Sequence, residues 1–94
     1  MKFRNEDLVV FTPVQKKLSE WAEENGKPKP RKWEEEISEI YGGKVMTYSE
    51  LREVFFDYYS NRPTVKAGVE SRLQTIQRSL NQWTNAGLIR KVSV

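Results

Sequence analysis

Apolar side chains recur along this chain at helical spacing in four separate stretches. Val14, Leu18, Trp21 and Ala22 form the first, Trp33, Ile37, Ile40 and Tyr41 the second, and Leu51, Val54, Phe55 and Tyr58 the third. Val69, Leu73, Ile76, Leu80 and Trp83 form the fourth. Residues three and four apart share one face of a helix, so the pattern predicts four amphipathic helices. The first opens at Thr12 as N-cap, with Pro13 at the first helical position and Gln15 completing a capping box, and stops at Asn25-Gly26. The second spans about Lys32 to Tyr41 and ends at Gly42-Gly43. The third opens on the box Thr47-Tyr48-Ser49-Glu50, gains width from Phe56 and Tyr59, and breaks at Ser60-Asn61-Arg62-Pro63. The fourth starts between Thr64 and Ser71, where Ser71-Arg72-Leu73-Gln74 offers a further box, and Gly87 is its expected left-handed cap.

The intervening segments are short. Leu8–Phe11 is either a strand or a packed entry to the first helix, and Lys44-Val45-Met46 can form a very short strand. Leu88 to Val94 is β-biased, and Met1 to Asp7 is a charged lead-in expected to fray. The fold class is therefore mainly α with a small β element. Ninety-four residues hold one modest core. Eleven aromatic residues (three Trp, four Tyr, four Phe) argue against disorder, because they can bury large areas.

Charge changes the picture more than composition does. Residues 1–60 hold 10 Lys/Arg against 12 Asp/Glu, or −2, whereas residues 61–94 hold 6 against 1, or +5. Such asymmetry points to a polyanionic partner. From Ser71 onward there is no acid at all, and the polar face of the fourth helix reads Ser71, Gln74, Thr75, Arg78, Asn81, Gln82 and Asn85. Those groups read base edges and neutralise phosphates. Lys27-Pro28-Lys29-Pro30-Arg31-Lys32 is extended and basic, either a backbone-contacting arm or a stiff solvated connector. Glu34, Glu35, Glu36 and Glu39 cluster toward the start of the second helix, where a solvated face matched to the helix dipole accounts for them.

The chain contains neither cysteine nor histidine. Thiolate and imidazole catalysis and the usual zinc sites are excluded, and no nucleophile–base pair or metal set remains, so no enzyme, cofactor or metal is expected. No apolar run of membrane-spanning length and no signal-peptide core occurs in the sequence. The expected partner is not a membrane, and the expected location is cytoplasmic.

The order helix, short strand, capped helix, second helix closed by glycine, then strand resembles a winged helix-turn-helix domain over about residues 31–94. The most specific stretch is Leu80-Asn81-Gln82-Trp83-Thr84-Asn85-Ala86-Gly87-Leu88-Ile89-Arg90-Lys91-Val92, which is similar to the ending of many recognition helices. The Thr47-x-x-Glu50-Leu51 opening adds to it. The chain then divides into a lead-in (1–11), an additional N-terminal helix (12–26), the connector (27–32) and a helix-turn-helix core (32–94). Gly87 would return Leu88 and Ile89 to the core, and the final strand would pair with Lys44–Met46. Two features depart from the family. The segment before Ser71 is long for the usual turn of three or four residues. A second wing strand is also missing, so either the wing is absent or Leu8–Phe11 supplies the partner.

The resemblance implies a double-stranded DNA-binding protein, a small transcriptional regulator, with helix 71–86 entering the major groove by its N-terminal half. Arg72 and Arg78 would meet guanine or phosphate, Gln74 adenine, and Ser71 and Thr75 phosphate or a thymine methyl. Arg62, Lys66, Arg90 and Lys91 would grip the backbone, with Tyr48 and Ser49 as a phosphate clasp at the start of the third helix. Specificity from one such module calls for a homodimer or larger assembly, with Phe56 and Tyr59 as a dimer patch. The alternative is a winged-helix protein–protein interaction module, or a replication or mobile-element accessory factor.

Overall fold

A computed structural model describes residues 3–61 and 68–92. Its elements run β1 (Leu8–Phe11), α1 (Leu18–Glu24), α2 (Lys32–Tyr41), β2 (Val45–Thr47), α3 (Tyr48–Ser60), α4 (Val69–Asn85) and β3 (Ile89–Lys91). The protein is mainly α with a small antiparallel sheet.

Leu8–Phe11 is a strand, and it occupies the middle of the sheet, in the order β2-β1-β3. Val9 lies opposite both Met46 and Lys91, and Phe11 lies opposite Ile89. Alternation along β1 buries Val9 and Phe11 and turns Leu8 outward. The final strand therefore does not pair with Lys44–Met46, as the sequence suggests. β1 separates the two and bonds to each. This answers the open question of the missing wing partner, which comes from the other end of the chain.

The first helix also differs from expectation. It starts at Leu18, with Lys17 extended at its N-cap and no side-chain cap. Thr12 instead prolongs the sheet: its N–H donates to the Leu88 carbonyl at 2.7 Å, and its hydroxyl accepts from Arg90 Nε at 3.2 Å. Pro13 lies against Gly42 and Gly43. These tertiary bonds outweigh the local capping signal. The lead-in is likewise ordered from Phe3, through a turn closed by Asp7 N–H to Arg4 O and Arg4 N–H to Asp7 Oδ2.

The core gathers Trp33 and Ile37 from α2, Leu51 and Phe55 from α3, Ile76, Leu80 and Trp83 from α4, and Val9, Phe11 and Ile89 from the sheet. Trp33 meets Phe55 edge-on at 5.8 Å and Tyr59 at 5.5 Å. Thr47 caps α3 as its sequence predicts, accepting the Glu50 N–H at 3.2 Å. α4 begins at Val69 with Gly68 as N-cap, so Ser71 lies inside the helix and caps nothing. At the other end Gly87 adopts φ +85°, Gly87 N–H reaches Thr84 O, and Leu88 N–H reaches Trp83 O at 2.9 Å. This paired closure returns Leu88 and Ile89 to the core.

Glu34 is the largest departure. It is 6% exposed, not solvated. Its Oε2 accepts from Ser79 Oγ at 2.7 Å and Trp83 Nε1 at 2.6 Å, and its Oε1 accepts the Arg31 N–H at 3.0 Å. α4 is consequently rotated so that Ser79 faces inward and Leu73 stays 43% exposed. Ile40, also read as core, is 48% exposed.

Two stability predictions follow from this packing. Glu34→Ala strands the Ser79 and Trp83 donors and should cost roughly 2–5 kcal/mol in urea melts, since each orphaned buried donor costs about 1–3 kcal/mol. A melt within experimental error of wild type would remove Glu34 from its structural role. Trp83→Ala should cost about 3–5 kcal/mol through the void it leaves, and an unchanged melting curve would contradict its complete burial.

Candidate nucleic-acid interface

The rotation imposed by Glu34 sets the outward side of α4. Ser71, Gln74, Arg78, Asn81 and Asn85 are all exposed and follow one another at intervals of three and four. At the helical rise they cover about 21 Å of one stripe. The stripe carries amides, a hydroxyl and a guanidinium, with no carboxylate. Arg72 and Thr75 flank it, half-buried.

Hydrogen bonds fix several of these groups. Gln77 Nε2 donates to the Tyr48 hydroxyl at 3.1 Å and to Asn81 Oδ1 at 3.0 Å. Asn81 is thus held with its carbonyl turned along the helix, which leaves its NH2 for a partner. Thr75 Oγ1 donates to its own helix at Ser71 O, 3.0 Å away. In this rotamer Thr75 can accept from a ligand but not donate to a phosphate, so its phosphate role is not supported.

A cleft of about 310 Å³ lies beside the stripe, between α4 and the proline-rich connector. Lys29 and Arg31 stand on one wall, Arg78 and Gln82 on the other, with Glu34 and Trp33 among its lining. The connector is therefore brought against the polar side of α4. Sequence reasoning left it open between arm and spacer, and did not select Lys29 or Arg31 as site residues. A second cavity of about 410 Å³ carries mixed charge, from Glu20, Glu23, Lys27 and Lys29.

The remaining expected residues scatter. Arg90 is exposed on β3, and Lys91 lies 3.6 Å from Asp7 Oδ1, so its charge is already partnered. Arg62 and Lys66 lie outside the described residues. The phosphate clasp at the start of α3 is overturned. Tyr48 is 5% exposed, packed beneath Phe3 at 5.3 Å and under the Arg52 guanidinium at 4.9 Å. The amides a phosphate would need are occupied: Tyr48 N–H donates to Asp7 O and Ser49 N–H to Asn5 O. Residues 3–7 cross this helix end and take its place as acceptor. Phe56 and Tyr59 pack against the core and form no outward patch. The large apolar groups that do face outward are Leu8, Ile40, Val45 and Leu73.

Among the described residues no cluster suited to a metal occurs, and no helix is long and apolar enough to cross a membrane. No protein-family model, curated protein or solved structure matches the chain.

Tyr48→Phe keeps the buried ring and removes only the acceptor of Gln77. It should lower stability by about 0.5–1.5 kcal/mol and shift the side-chain amide resonance of Asn81. An Asn81 amide signal identical to wild type would show that Tyr48 does not act through Gln77.

Proposed function

We propose that this protein binds double-stranded DNA through the outward stripe of α4, as a small winged-helix-like regulator. The observation that carries this reading is the stripe itself: Ser71, Gln74, Arg78, Asn81 and Asn85 exposed in line, without one acid. A helix with its side chains is about 10–12 Å across, matching a major groove about 12 Å wide. Arg78 suits guanine O6 and N7, and Gln74 and Asn81 suit adenine. Arg72 and Arg90, near the two ends of α4, suit phosphates. The order of α2, β2, α3, α4 and β3 supports the winged-helix likeness, with β1 standing where a wing strand would otherwise return.

A second reading, a protein-interaction module, is favoured by the outer face of the sheet. Leu8 is 40% exposed and Val45 is 54% exposed there, and Arg90 stands opposite Val10 on the same face. This face would serve a protein partner or a second copy of the chain. Salt separates the readings: apolar docking persists as salt rises, whereas DNA affinity falls with a log–log slope near −0.9 per phosphate contacted.

The expected result is duplex binding that weakens steeply with salt, and Arg78→Ala should cost roughly 1–3 kcal/mol of it while the melting curve is kept. Unchanged affinity in the Arg78→Ala titration would remove α4 from the interface. Absence of duplex binding at low salt would end the DNA reading.

A further inference from the structure

We infer that the cleft between the proline-rich connector and α4 is a phosphate seat, which takes one phosphodiester of the DNA strand bordering the groove that α4 enters. The inference rests on the DNA-binding reading and adds a specific ligand-contacting site to it.

Charge is the first argument. Lys29, Arg31 and Arg78 converge on the cleft from segments far apart in sequence, and none of them forms an ion pair among the described residues. Like charges gathered on one small hollow repel one another, so the arrangement favours an anion that relieves them. Glu34 lines the cleft but does not replace that anion. Both its oxygens already accept hydrogen bonds, from Ser79, Trp83 and the Arg31 backbone. Three cations against one carboxylate leave +2 around the hollow, which matches a phosphodiester with charge to spare.

An unused donor is the second argument. Trp33 is 3% exposed, lines the cleft, and carries an indole N–H with no partner. Buried donors without partners are rare, and an acceptor oxygen in the cleft is a natural complement.

Preorganisation and size complete the case. Pro28 and Pro30 stiffen the connector, Pro30 is itself buried, and Lys27 N–H is tied to Ala22 O at 2.8 Å. Lys29 and Arg31 are therefore carried on a fixed rail and not on a floppy loop. At about 310 Å³ the cleft lies at the lower end of ligand-site volumes, roughly 300–1,000 Å³. A phosphate with its sugar fits that volume, and a stacked base pair does not.

The test uses the whole protein with two probes, inorganic pyrophosphate and a random-sequence duplex, and the double variant Lys29→Gln/Arg31→Gln. Both residues are exposed, so the double variant should melt as wild type does. Pyrophosphate should produce saturable NMR shifts at the Thr75 and Gln82 amides and the Trp33 indole N–H, and these should vanish in the variant. The variant should also bind duplex with a log–log salt slope shallower by about two. Pyrophosphate shifts centred elsewhere, for example at Arg90 and Lys91, overturn the proposal. So does a variant that binds duplex with the wild-type slope, and the DNA reading then survives without the seat. Pyrophosphate seated in the cleft of a protein that ignores duplex supports the seat and removes the DNA reading instead.

Discussion

The buried carboxylate of Glu34 sets the geometry on which the rest depends. A charge that far from water is costly unless hydrogen bonds surround it, and here Ser79, the Trp83 indole and the Arg31 backbone do so. Because those partners belong to α4 and to the end of the connector, a single side chain fixes three things. It sets the distance between α2 and α4, the rotation of α4 about its axis, and the path of the chain entering α2. Ser79 pointing inward obliges Arg78, one residue earlier, to turn roughly 100° away. The outward stripe and the inward network are thus two consequences of one constraint.

The segment before β1 has a comparable influence at the other end of the helical pair. Asn5 and Asp7 accept the first amides of α3, and Asp7 also faces Lys91. A helix N-terminus that would otherwise attract an external anion is satisfied within the chain. Positive character is thereby concentrated on α4 and the connector. The two ends of α3 and α4 are not equivalent surfaces, although the sequence presents both as polar.

Local requirements are the ones legible in the sequence. Gly87 can be read because a left-handed closure needs glycine and two following apolar residues, and all three are contiguous. The Thr47 cap is legible for the same reason, since its partner Glu50 is three residues away. Thr12 shows the limit. Thr-Pro-x-Gln is a sound helix opening, yet Leu88 and Arg90 claim the threonine from the far end of the chain. Periodicity likewise shows that α4 has an apolar side but not where its centre lies, so Leu73 is counted inside although it is exposed. Of four similar glutamates, only the tertiary neighbours Ser79 and Trp83 distinguish Glu34. Tyr48 at a helix start looks like a surface hydroxyl until the strap over it is seen. The stripe of α4 is legible because amphipathicity and acid depletion are both written along one element. The cleft beside it is not, because its walls are distant in sequence.

The position of β1 has a consequence for how the molecule is made. Its two neighbours enter the sheet from opposite sides, one early and one at the close of the described chain, with Val9 facing both Met46 and Lys91. Such remote pairing raises the contact order, and the entropy of closing the long loop must be met before the strands reward it. During synthesis the β1–β2 hairpin-like pair and the nascent helices can form while Phe11 still lacks Ile89. The apolar inner edge of β1 then stays uncovered until translation delivers β3, and the final strand acts as the latch that makes folding all-or-none.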